Sequence, residues 1–432
     1  MGTPELFWNY RGGKIVEENC SNLTLMTKLE KKICLCMIVK NESKIIERCL
    51  DSAKSIIDFV SICDTGSTDG TPEIIKNWCK ENNIPGLVHH KLFKNFGYNR
   101  TLSVSLAQDA YPEADYLLLL DADMILTIDQ FDKCNLHHDQ YLTMQYDNQI
   151  KYWLTRLIKT SLPWRSVGVT HEYWDLDHSK LSADRNLETI EKLGSLIIYD
   201  QKDGGSKVDK FERDKRLLME GINNQGTPAD LKIRYMFYLA QTYFCLNELE
   251  KAIEWYKKRA EAGGWVEEVF YSLLQIGMCY KCLYKNASHK REFLIKETPN
   301  SKIDSSLIEK LSANEKQYFA LSTNYLLDAW EYRPCRAEPL YYLAEAYRIK
   351  GMNNIGLMYA LQGKEIPFPK DDLLFVEYQV YDYLFDYEIS ICANYIGSKF
   401  ELGRAAQKRL LSKLNQLPLN IARAVENNSK FY

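Results

Sequence analysis

Four short apolar runs, Ile33–Val39, Phe59–Cys63, Leu87–His90 and Tyr116–Leu120, are separated by stretches of helical patterning. That alternation confines residues 33 to about 126 to an α/β sheet of mostly parallel strands, because parallel neighbours need a crossover that is usually a helix. Asn41 suits the N-cap of a first helix, whose apolar positions Ile45, Cys49, Ala53 and Ile56 recur roughly at helical spacing. Thr71-Pro72-Glu73 offers a second helix an N-cap, a proline at its first position and an acidic first turn. A third helix is expected near Arg100.

The pattern then changes twice. Tyr141–Met144 and Tyr152–Ile158 are aromatic-rich and strand-like, interrupted by loops with Pro163 and Gly168, so antiparallel additions to the sheet are expected there. From Asp209 onward helix dominates, in pairs near 233–260, 267–285, 313–333, 338–364 and 373–415. A period of about 34 residues with Leu, Ala, Tyr and a closing Pro is the tetratricopeptide pattern, and residues 286–312 read as an insertion in it. Such arrays present a concave binding face, so a protein partner is expected on the repeats, unless they only buttress the first domain. The boundaries expected are an N-terminal extension (1–32), the α/β domain (33–205), a linker with a first helix (206–228) and the helical domain (229–432).

The formal net charge of −3, from 58 acidic and 55 basic residues, argues against a dedicated nucleic-acid binder. No run of about 18 apolar residues is present, and the first 30 residues lack a signal-peptide core. A cytoplasmic chain without a transmembrane segment is therefore expected, with its 12 cysteines free. Cys34-x-Cys36 reads as inward-facing strand residues, and Cys279-x-x-Cys282 as helix packing. His89 and His90 are adjacent on a strand and point oppositely, so neither is taken as a metal ligand.

Leu117-Leu118-Leu119-Leu120-Asp121-Ala122-Asp123 places two carboxylates one residue apart after an apolar run. On a strand these carboxylates share a face at the carboxyl end, where open α/β sheets bind ligands. Two hard oxygen donors there suit Mg²⁺ or Mn²⁺, although aspartate is also a common turn former after strands.

Met37-Ile38-Val39-Lys40-Asn41-Glu42, then Asp64-Thr65-Gly66-Ser67-Thr68-Asp69-Gly70-Thr71, then Asp121-Ala122-Asp123 resemble a family 2 nucleotide-sugar glycosyltransferase. The likeness is to the subgroup in which a GT-A domain precedes tetratricopeptide-like helices. It implies inverting transfer of a sugar from a nucleotide-diphosphate donor, commonly a UDP-sugar, to a glycan, lipid-linked or protein acceptor. It further implies that Asp64 contacts the base or ribose and that Asp121 and Asp123 hold Mn²⁺ or Mg²⁺ on the diphosphate. His171, within Thr170-His171-Glu172, is then a further metal ligand, and Arg100 binds a phosphate or fixes an aspartate. Thr65 departs from the second Asp of many members, which leaves Asp64 alone in its part.

An inverting displacement needs one base for the acceptor's proton; Glu172 is the first choice and Asp175 the reserve. Asp203-Gly204-Gly205-Ser206-Lys207 suits a mobile flap over phosphates, with Lys207 and Lys210 or Arg213 supplying charge, or else a plain hinge. The wider basic cluster Lys210, Arg213, Lys215 and Arg216 is interleaved with acids, as a solvated helix face would be. Two competing readings are a scaffold with a decayed transferase domain and a haloacid-dehalogenase-type phosphatase. The second is disfavoured by Ile125 two residues after the acid pair, where that family carries Thr or Val, and by the long α/β segment ahead of it.

Overall fold

The computed structural model describes residues 30–146, 151–181, 188–204, 209–297 and 305–432. The chain divides into two compact units, Met1–Asn224 and Gln225–Tyr432.

The first unit is built on an eight-stranded sheet in the order β3-β2-β1-β4-β7-β6-β10-β5. Its strands are β1 (Ile33–Val39), β2 (Phe59–Asp64), β3 (Gly86–His90), β4 (Tyr116–Leu119), β5 (Met124–Ile128), β6 (Gln140–Tyr146), β7 (Lys151–Lys159) and β10 (Ile190–Asp200). Between them β8 (Trp164–Val167) and β9 (Tyr173–Leu176) form a separate antiparallel hairpin. β7 and β5 run against the other six strands, giving a mostly parallel sheet with antiparallel additions. β10, from a region expected to supply only antiparallel strands, pairs in parallel with β6.

Alternation along β1 and β4 explains the two covered faces. Ile33, Leu35, Met37 and Leu118 face α1 (Ile46–Ala53) and α2 (Thr71–Glu81), packing on Ile46, Leu50 and Trp78. Cys34, Cys36, Leu117 and Leu119 face α3 (Phe96–Ala110), packing on Val104 and Ala107. Both faces are buried, which is why these strands read as continuous apolar runs. Each fully buried Leu or Ile stabilises the sandwich by about 1.5–3 kcal/mol. All eleven cysteines among the described residues are free thiols.

Two helix starts differ from expectation. Asn41 does not cap α1, whose N-cap is Ile45 with no side-chain bond. Instead Asn41 takes a left-handed backbone (φ 58) and its Oδ1 accepts from Thr68 N at 2.8 Å. The side chain is thus spent on joining the β1–α1 loop to the β2–α2 loop. α2 is capped by Gly70, in the left-handed region at φ 85, so Thr71 is its first residue. The Thr71 hydroxyl instead accepts from Glu42 N at 2.9 Å.

The second unit is helical, with consecutive helices packed against one another. They are α5 (Ala229–Cys245), α6 (Leu249–Glu261), α7 (Val266–Glu297), α8 (Ser305–Tyr332), α9 (Glu338–Ile349), α10 (Asn353–Lys364), α11 (Phe385–Asn394), α12 (Phe400–Ser412) and α13 (Leu419–Ser429). The segment expected as an insertion instead lengthens α7 and α8 to 32 and 28 residues, apart from 298–304 outside the described residues. The core of this unit runs from Phe270 and Leu274 through Leu326, Leu340 and Leu357 to Ile389 and Ala406. No described helix is long and apolar enough to cross a membrane. The helix α4 (Lys210–Asn223), read from sequence as part of a linker, belongs to the first unit and lines its cavity.

Candidate active site

A cavity of about 370 Å³ opens at the carboxyl ends of β1 and β4. Its walls come from Ile38 to Glu42, the Asp121–Met124 turn, β7, the 170–174 segment, the end of β10 and α4. Of the residues singled out from sequence, Arg100, Asp121, Asp123, His171, Glu172 and Lys210 line it. Asp64 and Asp175 do not, and Lys207 lies outside the described residues.

Asp121 and Asp123 are not on a strand. β4 ends at Leu119, and the pair sits in a tight connection to β5 closed by Met124 N donating to Asp121 O at 3.0 Å. The strand-alternation argument for a shared face therefore does not apply. Beneath the turn the buried Cys49 thiol donates to Asp121 O at 3.4 Å. Burial, then the Asp121 and Asp123 charges, push that thiol up, so it stays a donor.

Asp121 meets Arg100 from α3. Arg100 donates through Nη1 to Asp121 Oδ1 (2.8 Å) and through Nε to Glu172 Oε1 (2.5 Å). Burial alone would lower the Arg100 pKa, but the Asp121 and Glu172 charges outweigh it and raise it. On the other side Arg156, from β7, approaches Asp121 Oδ2 at 3.6 Å. Asp121 therefore faces two guanidinium groups.

The approach of α3 to the β8–β9 hairpin is set by backbone contact. Phe96 N donates to Val169 O (3.1 Å) and Gly97 N to Gly168 O (3.0 Å). A Cβ on Gly97 would lie 2.1 Å from Gly168 O, so only glycine allows this closeness. Asn95 caps the helix by accepting from Tyr98 N at 2.8 Å. His171 takes a left-handed backbone (φ 51) in the turn that brings Glu172 to Arg100.

The expected metal set is not assembled. Among the described residues no group of three or more His, Cys, Asp or Glu side chains is arranged to hold a metal ion, and the Asp121 carboxylate faces arginines. Asp123 has different neighbours. A Cβ on Gly204 would lie 3.1 Å from Asp123 Oδ2 and 3.5 Å from Glu42 Oε1, so Gly204 keeps open the space beside both carboxylates. That segment is tied to α1 by Arg48, which donates to both Asp203 oxygens at 2.8 Å. Asp200 also lines the cavity; burial, then Asp123, raise its carboxyl pKa against the lowering bond from Lys202 N.

Asp64, expected to contact the base or ribose, is engaged within the protein. Its carboxylate is 4% exposed, bonds His90 Nδ1 at 3.2 Å and accepts from Ser67 N at 3.1 Å. Its neighbour Thr65 reaches the cavity. Asp69 ties the same loops together, accepting from Ser43 N (3.0 Å) and the Thr71 hydroxyl (2.6 Å). Burial opposes ionisation there, but those bonds prevail and lower its pKa to about 2. Asp175, the reserve base, does not line the cavity and is paired with Arg165 on the neighbouring strand (2.8 Å).

The basic cluster on α4 divides. Arg216 pairs with the exposed Glu220 and Lys215 with Glu212, as on a solvated face. Lys210 and Arg213 turn to the cavity, with Arg213 lying 5.0 Å from the centroid of the Phe96 ring. Sequence reasoning missed Arg156, Asp200, Tyr152, Trp174 and Phe211 as lining residues. Only Arg156 left a signal, as a lone charge inside the apolar run Trp153-Leu154-Thr155-Arg156-Leu157-Ile158.

Comparison with known proteins agrees with the motif reading. A "TPR repeat-containing protein" of Synechococcus elongatus is 31% identical over 109 residues, which is 25% of this chain and 25% of that protein. The alignment thus spans about a quarter of that relative's length. Residues 1–349 of S. aureus TarS, solved with UDP, align over 68% of this chain and 89% of that one at 14% identity and a TM-score of 0.30. The TPR2AB domain of yeast Sti1 in complex with pHSP90 aligns over 52% of this chain and 92% of that one at 13% identity and a TM-score of 0.18. Residues 34–149 match the family model "Glycosyl transferase family 2", and over that segment, which holds Arg100, Asp121 and Asp123, the chain carries a family 2 glycosyltransferase domain.

Proposed function

We propose that the protein is an inverting glycosyltransferase that moves a sugar from a nucleotide-diphosphate donor, first of all a UDP-sugar, to a glycan, lipid-linked or protein acceptor. One observation carries this reading. The acid turn after β4, Arg100 and Glu172 converge on a single cavity at the carboxyl end of the sheet, within and beside the family 2 segment. That is where open α/β sheets receive nucleotides.

The parts divide as follows. Lys210 and Arg213 supply positive charge to the wall formed by α4 and draw the diphosphate to it. Arg100 locks Asp121 and Glu172 in place, so that the acids are oriented before substrate arrives. Glu172 takes the acceptor hydroxyl's proton while the donor's anomeric carbon inverts. Tyr152, Trp174 and Phe211 offer aromatic surface for sugar or base rings and help exclude water.

Mn²⁺ or Mg²⁺ fits this donor set only in company with the substrate, since such cations take one or two carboxylates and complete their shell with phosphate oxygens and water. Asp123 would hold it, beside the space that Gly204 leaves open; His171 lines the same cavity. When bound, the cation supplies neutralisation of the charge that develops on the departing diphosphate.

The test is release of nucleoside diphosphate from a panel of nucleotide sugars, with and without acceptor glycans. One donor is expected to be consumed, and Glu172→Gln is expected to slow transfer by about 100-fold or more while leaving the donor's Kd within a few-fold. Transfer by Glu172→Gln at the wild-type rate would remove Glu172 as the base.

A further inference from the structure

Arg156 presents a buried charge that the protein itself does not fully satisfy. It sits on β7 at 7% exposure, between Thr155 and Leu157, and lines the cavity. Its contacts are long. Nη1 lies 3.5 Å from Leu119 O and 3.6 Å from Asp121 Oδ2, and Nη2 lies 3.2 Å from Gln145 Oε1. Nε, buried from water, has no hydrogen-bond acceptor among the described residues. The carboxylate nearest to it is held more closely by Arg100, at 2.8 Å. A buried cation is stable only when paired and hydrogen-bonded, and an unmet buried donor of this kind calls for a reason.

We propose that Arg156 is a further binding residue for the donor, its guanidinium completing its bonds on an oxygen of the bound diphosphate. The inference rests on the glycosyltransferase reading of the cavity. An anion is the chemistry that fits: guanidinium bonds to phosphate are charge-assisted and geometrically directed. Asp121 is shared between Arg100 and Arg156, and Glu172 is engaged by Arg100, so Arg156 is the cation of this group with the least anionic company. Gln145, itself fully buried, accepts from Nη2 at 3.2 Å.

The test compares UDP, inorganic pyrophosphate and uridine by calorimetry on the full chain, wild type against Arg156→Lys and Arg156→Met. Wild type is expected to bind UDP and pyrophosphate. Both variants are expected to lose about 10-fold or more of UDP and pyrophosphate affinity, while uridine binding is unchanged. Should either variant fail to fold, the Arg156 Nε–H resonance of ¹⁵N-labelled wild type serves instead; it is expected to shift with UDP and pyrophosphate and not with uridine. Pyrophosphate affinity unchanged in a folded variant, or an Nε–H resonance that ignores pyrophosphate, would overturn the role of Arg156 and leave the glycosyltransferase reading standing. Wild type that binds neither UDP nor pyrophosphate would overturn both.

Discussion

Asp200 carries a charge that its surroundings make costly. Burial first, then the Asp123 and Asp121 charges, raise its pKa, and one backbone bond from Lys202 does not compensate. The folded carboxyl therefore holds its proton more tightly than the unfolded one. The penalty is present above the raised folded-state pKa and is relieved as pH falls below the unfolded value of about 3.9. Asp200→Asn is accordingly expected to raise the thermal unfolding temperature at pH 8, with the gain gone by pH 4. Thermal unfolding followed across that range checks it; a destabilised variant at pH 8 would mean that the charge is compensated. Such acids facing one another are a mark of sites built to receive a cation or a donor-rich ligand. From sequence, Asp200 was indistinguishable from any aspartate at a strand end, because its neighbours in space lie about 80 residues away in the Asp121–Asp123 turn.

At the scale of elements, the site depends on the first turn of α3 lying against the β8–β9 hairpin. Gly97 is the hinge of that contact, since an added Cβ would meet the Gly168 and Ser166 carbonyl oxygens at 2.1 and 2.8 Å. Gly97→Ala is expected to cost about 1–3 kcal/mol in urea unfolding, as overpacking does. It should also lower the rate of transfer, because Arg100 and Glu172 are carried by the two elements pushed apart. A variant of full stability and activity would show the contact to be loose. The elements were legible where local pattern decides them: β1, β2 and β4 as apolar runs, and α2 through Pro72 and Glu73. They were illegible where tertiary bonds recruit a residue, as with Asn41, whose side chain serves the neighbouring loop rather than α1. The acid pair was read either as strand-end residues on one face or as turn formers, and sequence alone did not decide between them because the hydrogen bond from Met124 that closes the turn leaves no trace in composition.

For the whole molecule, each unit has its own core, one in the sheet and its covering helices and one through the helical array. The change from alternating to purely helical pattern predicted that division, while the placing of α4 with the first unit required its contacts. Lys210, Arg213 and Asp214 face a cavity whose other walls reach back in sequence as far as Ile38. Residues 1–224 alone are expected to fold and bind donor with wild-type Kd, but to transfer to the natural acceptor at least about 10-fold more slowly, if the helices present acceptor. Equal transfer by the truncated and full chains would make the helices dispensable. The account as a whole turns on Asp123 beside the space kept by Gly204. Release of nucleoside diphosphate from the preferred donor, measured with Mn²⁺ for wild type and Asp123→Ala, tests this most directly. The account predicts loss of about 100-fold or more in the variant at an unchanged unfolding temperature; release at the wild-type rate would contradict it.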